Sequence, residues 1–158
     1  MRYLLTIAVL GMIAAPARSQ SANVLDAKAA QAIIAGCVAH ASAHNNQQAI
    51  VVVDRGGRIV ASLRMDRTTF GKMDFAEAKA IAAAAWGFDT AGQADGAKDF
   101  PGFARAPFVQ TVPGGVPIVS ADGMTLLGGV GVSGAAPADD AGCAEAGIKA
   151  AGLRVPHS

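Results

Sequence analysis

Hydrophobic positions along the chain switch between two periods. From Asn23 to His44 they fall at steps of three and four, with Leu25, Ala29, Ile33, Cys37, His40 and His44 on one stripe. That is the period of an amphipathic helix. Asn23 is placed to cap it, and Asn45-Asn46 to stop it. Ile50 to Val53 is a short β-branched run that predicts a strand buried on both faces. Asp54-Arg55-Gly56-Gly57 then reads as a turn, and Arg58 to Arg64 as the returning strand of a hairpin. After a polar link from Met65 to Gly71, a second helix is predicted from Asp74. Asp74 and Glu77 would occupy its first turn, where the macrodipole favours acids. It runs through Lys79 and the alanines 82–85 to about Phe88.

Positions 90–112 carry prolines, phenylalanines and scattered charges without a clear period, and predict a long irregular segment with at most a short helical turn. Loops of that length are uncommon unless they serve a function. Gly114 to Ile118 and Leu126 to Val132 are two apolar runs separated by Ala121-Asp122-Gly123, and Asp-Gly between such runs is a strong hairpin signal. Gly128, Gly129 and Gly131 strip side chains from the second strand, which marks a close approach by a backbone or a ligand. This hairpin is expected at the middle of the sheet and as one wall of a binding site. Pro137, followed by Asp139 and Asp140, opens a last helix that runs to about Leu153. The order α-β-β-α-loop-β-β-α predicts an α+β fold, an antiparallel sheet flanked by helices.

Composition narrows the function classes. The chain has 158 residues, 52% hydrophobic and 16% charged, with a formal net charge of +1. It has no basic stripe to hold nucleic acid. Met1-Arg2, the apolar run from Leu4 to Ala15 and the small residues around Ala17 read as a signal peptide over residues 1–19. A retained anchor is the alternative, although the run is short for a bilayer. Residues 20–158 then form a single exported domain, periplasmic or secreted, with no integral membrane segment after cleavage. In such a compartment Cys37 and Cys143 are expected to pair as a disulfide. Two buried thiols are the alternative.

The candidate chemistry is sparse. Gly129-Val130-Gly131-Val132-Ser133-Gly134 matches a dinucleotide fingerprint formally, but no strand and acidic residue follow it, and Ser133 lacks the spacing of a nucleophile elbow. Asp139 and Asp140 are explained as helix-start charges. His40 and His44, one turn apart, can share a metal, or one can serve as an axial haem ligand. A role at the helix C-terminus is the plain alternative. His157 sits in the tail. Arg64, bracketed by Asp54 and Asp66, can hold a carboxylate with two parallel hydrogen bonds, or simply line a solvated hairpin edge. Glu77 and Lys79 read as solvated-face residues, with a buried lysine base as the alternative.

Several of these segments together carry a family likeness. They are Val52-Val53-Asp54 with Gly56-Gly57 and Ile59-Val60, Arg64-Met65-Asp66, Ala76 with Lys79-Ala80, Gly114-Gly115-Val116-Pro117-Ile118, and Gly128 to Gly134 with Asp139-Asp140. In this order they resemble the GlcG/HbpS family, which is similar to the C-terminal domain of PduO-type proteins. The likeness runs from about Val24 to Leu153. It implies a profilin-like sheet with flanking helices, assembly into homo-oligomers, and haem as a ligand of characterised relatives. The chain departs from the pattern at Ile81-Ala82-Ala83, where relatives often carry threonine or serine, and the haem-ligating histidine is not part of the shared pattern.

Together these readings predict a small domain binding haem or another small anionic ligand between the glycine-rich hairpin and the 90–112 segment. The candidate binding set is His40, His44, Arg64, Asp66, Phe108, Gly115, Gly129 and Gly131, with Phe100 and Phe103 beside Phe108. Two alternatives are an accessory subunit of a larger periplasmic oxidoreductase, and an enzyme on a small hydroxy- or keto-acid with Lys79 or Asp66 as base.

Overall fold

The two central strands carry the sheet, because their side chains are apolar on both faces. The structure, a computed structural model, describes residues 24–156. The predicted signal peptide, the Asn23 cap and His157 lie outside them. Strand β1 (Ala49–Asp54) is flanked by β2 (Ile59–Arg64) and β4 (Leu126–Ser133), and β3 (Gly115–Val119) completes the order β2-β1-β4-β3. All three pairings are antiparallel, as expected. Thus β4 is central but its hairpin partner β3 is an edge, which suits Pro117, a residue with no N–H to donate.

Alternation along β1 divides two cores. Ile50 and Val52, with Val130 and Val132 of β4, pack under α1 (Ala27–Ala43) and α4 (Pro137–Ala150). Ala49, Val51 and Val53 pack under α2 (Phe70–Trp86) through Ala76, Ala80 and Ala84. The result is one helix on one face and two antiparallel helices on the other. The α1–α4 pair is bridged by a disulfide between Cys37 and Cys143, both fully buried. No helix among the described residues is long and apolar enough to cross a membrane.

Three elements differ from the sequence reading. The cap of α1 is Asp26, whose carboxylate accepts from the Ala29 N–H at 2.7 Å. Helix α2 starts at Phe70, four residues before Asp74, so its first turn holds no acid. The segment after it is not irregular: Thr90–Asp99 forms α3, followed by a 3-10 turn at Phe103–Arg105. Asp89 nucleates α3 by accepting from the Gly92 N–H at 2.6 Å.

The glycines of β4 face α2. A Cβ on Gly131 would fall onto the carbonyl of Ala76, and one on Gly129 onto that of Ala80. Gly115 on β3 is closed in the same way by the Lys79 carbonyl. The close approach read from these glycines is therefore made by a helix backbone. As ligand-binding residues Gly115, Gly129 and Gly131 are a correction: the face they vacate is filled by α2, so the hairpin forms no open wall towards positions 90–112.

Candidate functional site

One end of the sheet gathers most of the polar chemistry. Register places Ala49 opposite both Arg64 and Ser133, and Gly115 opposite Gly131. The same end therefore receives the loop leaving α1, the loop leaving β2, the entry to β3 and the exit from β4.

At its centre is Lys79. It lies on α2 in the stripe that also holds Ala76 and Ala83, and is only 1% exposed. Its Nζ donates to the Val132 carbonyl at 2.9 Å and lies 3.4 Å from Asp140 Oδ2, with the Phe75 ring centroid at 4.7 Å. Asp140, in the first turn of α4, is 3% exposed. Its Oδ1 accepts from Gln48 Nε2 at 2.8 Å and from the Ala135 N–H at 3.0 Å. Gln48 is fully buried just before β1. This chain of contacts passes from the α2 layer to the α4 layer around the entry to β3. Gly114, at φ +123°, leaves the passage open: a Cβ there would sit 2.6 Å from the Val132 carbonyl oxygen and 2.8 Å from Lys79 Nζ.

Burial pulls the Lys79 pKa below its ordinary value, and the Asp140 carboxylate partly restores it. The ammonium is held inside by donating to oxygens rather than by contact with solvent. The reading of Lys79 as a solvated-face residue is thus a correction, since its side chain is closed off from water. Asp140 likewise is more than a helix-start charge. Two further buried atoms, Gln48 Oε1 and Thr68 Oγ1, have no hydrogen-bond partner among the described residues.

The predicted ligand residues lie around this network. His40 and His44 close the last turn of α1 with rings stacked 4.3 Å apart. His44 Nδ1 is 2.8 Å from the His40 carbonyl. A carbonyl only accepts, so Nδ1 carries the proton and Nε2 of the neutral ring keeps its lone pair. His44 is exposed, whereas His40 is half-buried, and a Cβ on Gly142 of α4 would lie 3.4 Å from its Nε2. Arg64 is exposed at the end of β2 and donates to the Thr68 carbonyl, and Asp66 is exposed in the turn between them. The histidines and Arg64 share this end of the sheet but approach it from different layers, since Arg64 pairs with Ala49 on the α2 face.

Phe108 is not part of this group. It follows Pro107, whose carbonyl accepts from Trp86 Nε1 at 3.1 Å, at the far end of α2. A helix of 17 residues places that corner about 25 Å from the first turn of α2. Among the described residues, no three His, Cys, Asp or Glu side chains are grouped to hold a metal ion. Among the described residues the two imidazoles have no third ligand for a bare ion. Haem, however, brings four ring nitrogens of its own and asks the protein for one or two axial groups.

The model of the family described as "Haem degrading protein HbpS-like" matches residues 25–149. The chain belongs to the HbpS-like family. Its fold is similar to a double-mutant form of Streptomyces reticuli HbpS, with 26% identity and a TM-score of 0.75 over 90% of this chain and 97% of that one. A Klebsiella pneumoniae protein, ORFY, shares the fold at 24% identity and a TM-score of 0.76, covering 85% of this chain and 94% of its own. So does a PduOC–haem complex, at 22% identity and a TM-score of 0.75, covering 85% and 99%. Comparison with curated proteins gives no match.

In this HbpS-like domain the Lys79–Asp140–Gln48 network is the feature the sequence reading missed. One signal was available. Lys79 sits three residues after Ala76 and four before Ala83, on the stripe that an alanine-faced helix turns towards its sheet.

Proposed function

We propose that this HbpS-like domain binds haem at the sheet end where α1 delivers its histidines. The observation that carries the reading is His44: an exposed imidazole whose Nδ1–H is fixed by the His40 carbonyl, leaving Nε2 free. Such a ring is prepared to donate a lone pair to iron without further rearrangement. Arg64 keeps most of its five N–H donors after bonding the Thr68 carbonyl, which suits a propionate or another small carboxylate. The family description and the haem complex of a protein with the same fold support the ligand class. Bound there, haem would supply an iron centre; the chain's own residues orient it and neutralise its carboxylates.

Export belongs to the same reading. The buried Cys37–Cys143 bridge is the kind of cross-link that persists in an oxidising compartment. Haemin titrated into the purified protein, followed at the Soret band, is the test. Saturation at one haem per chain is expected, whereas a linear rise without saturation contradicts a specific site.

A further inference from the structure

Opposite the polar end, the sheet carries most of the exposed apolar surface. Register places Asp54 opposite Gly128 and Val119 opposite Leu126, so the β1–β2 and β3–β4 turns lie here. Helix α2 ends here too, since a Cβ on Gly87 would sit 3.8 Å from Leu126 Cδ2. Around that helix end Trp86 meets Phe103 edge-on at 4.8 Å, and Phe88 lies 6.3 Å from Phe103. The Pro107 carbonyl accepts the indole N–H, which brings the Phe108 backbone alongside. Phe100 is 74% exposed and Phe108 64%, and Met124 between β3 and β4 is 85% exposed. Among the described residues, the polar end shows only Leu63 and Phe70 as large exposed hydrophobic side chains.

The chain also enters the fold at this end. Helix α4 leaves β4 at the polar end, and α1 runs antiparallel to it: a Cβ on Gly142 would meet His40, and one on Gly36 would meet Ala150. Helix α1 therefore begins at the opposite end, three residues after Val24, which is 62% exposed. Upstream, residues 16–23 join Val24 to the apolar run from Leu4 to Ala15. A link of that length reaches at most about 29 Å. Helix α1 alone is about 25 Å long, so the link cannot carry the polar end against whatever receives the apolar run.

We propose that this end seats the domain on the surface of a lipid bilayer, with Trp86, Phe88, Phe100, Phe108 and Met124 entering the interfacial layer. The Leu4–Ala15 run is short for a full span, and stable attachment takes a second contact. Taking about 200 Å² for an aromatic side chain, the exposed fractions leave on the order of 400 Å² of ring surface. A patch of that size marks a contact site, and amphipathic rings such as Trp86 concentrate at the headgroup level. The rim has no net field to select anionic lipid: Lys98 pairs with Asp95 at 2.7 Å, and Arg154 lies beside Asp122. A zwitterionic surface therefore suffices. The seat acts while the apolar run is attached, and it is the contact that remains if residues 1–19 are removed. It leaves the polar end in water and does not rest on haem binding.

Trp86 is the only tryptophan, so its emission reports on this end even where the apolar run brings the chain to lipid. The full chain should be mixed with phosphatidylcholine vesicles brominated along the acyl chains. Quenching of Trp86 by at least twofold is expected, and a blue shift of its emission with the unbrominated lipid. Phe100→Ser/Phe108→Ser should reduce the quenching at least twofold with unchanged far-UV circular dichroism. Phe70→Ser, an exposed ring at the polar end, should leave it unaltered. Phe100→Ser alone serves if the double variant loses its fold. The proposal is overturned if the chain ignores the vesicles, or binds them without quenching of Trp86. It is equally overturned if the phenylalanine variants are quenched as wild type is, or if the blue shift appears on concentrating the protein without lipid, which marks a second copy as the occupant.

Discussion

Lys79 Nζ and Asp140 Oδ2 lie 3.4 Å apart with both side chains closed off from water, so an ion pair joins the helical layers on the two faces of the sheet. Removing one partner leaves the other charge buried, which costs about 3–5 kcal/mol. Asp140→Ala should therefore destabilise the fold by that amount in urea unfolding. Lys79→Met combined with Asp140→Ala should cost less than Asp140→Ala alone, because no charge is then stranded. Additive losses would show that the two residues act independently.

The same burial makes stability depend on pH in a definite direction. Lys79 has its pKa lowered in the folded state, chiefly by desolvation, from its ordinary value of 10.5. Between the lowered folded value and the unfolded one, the unfolded chain binds the extra proton, so stability rises with pH across that window. The wild-type minus Lys79→Met difference in unfolding free energy should climb as pH rises towards 10.5, then level off. A difference that stays flat or falls contradicts the pKa direction.

Cys37 and Cys143 are 106 residues apart in sequence. In the chain-entropy account a bridge over such a span contributes about 4–5 kcal/mol. Unfolding of the Cys37→Ser/Cys143→Ser variant should be easier by that order, with little change in far-UV circular dichroism. Equal midpoints for the oxidised protein and the variant would show the bridge to be energetically idle.

Two glycines should respond in opposite ways to the same substitution. Gly131→Ala drives a methyl group into the Ala76 carbonyl and forces α2 off β4, at about 1–3 kcal/mol or more. Gly71, in the first turn of α2, has nothing within 4 Å of an added Cβ. Gly71→Ala should be neutral or stabilising by up to about 1 kcal/mol. Thermal denaturation of the two variants side by side reads the contrast.

Where apolar period was strong, the fold was legible. Ile50 to Val53 forecast a strand buried on both faces, and the stripe through Ile33 and Cys37 forecast α1. Helix α3 was not legible, because Thr90–Asp99 holds two glycines and no apolar stripe, and its start rests on the single Asp89 cap. The glycines of β4 announced a close approach, but the pattern of one strand cannot say whether a ligand or a helix arrives. Lys79 and Asp140 each resembled ordinary surface residues, since each finds its partner 61 positions away through the fold rather than through local spacing. Of the candidate binding residues, His40, His44 and Arg64 fall at one sheet end, from different layers, because they flank β1 and its neighbour β2. Phe108 joins the opposite corner through Trp86.

The proposed haem site is tested most directly by comparing haemin affinity of the wild-type protein with that of His44→Ala and His40→Ala. The account predicts a saturable Soret band whose dissociation constant rises at least tenfold in His44→Ala. In His40→Ala the rise should be smaller, because the His40 carbonyl that orients His44 remains. Identical affinities and spectra in all three proteins would contradict an axial role for the α1 histidines.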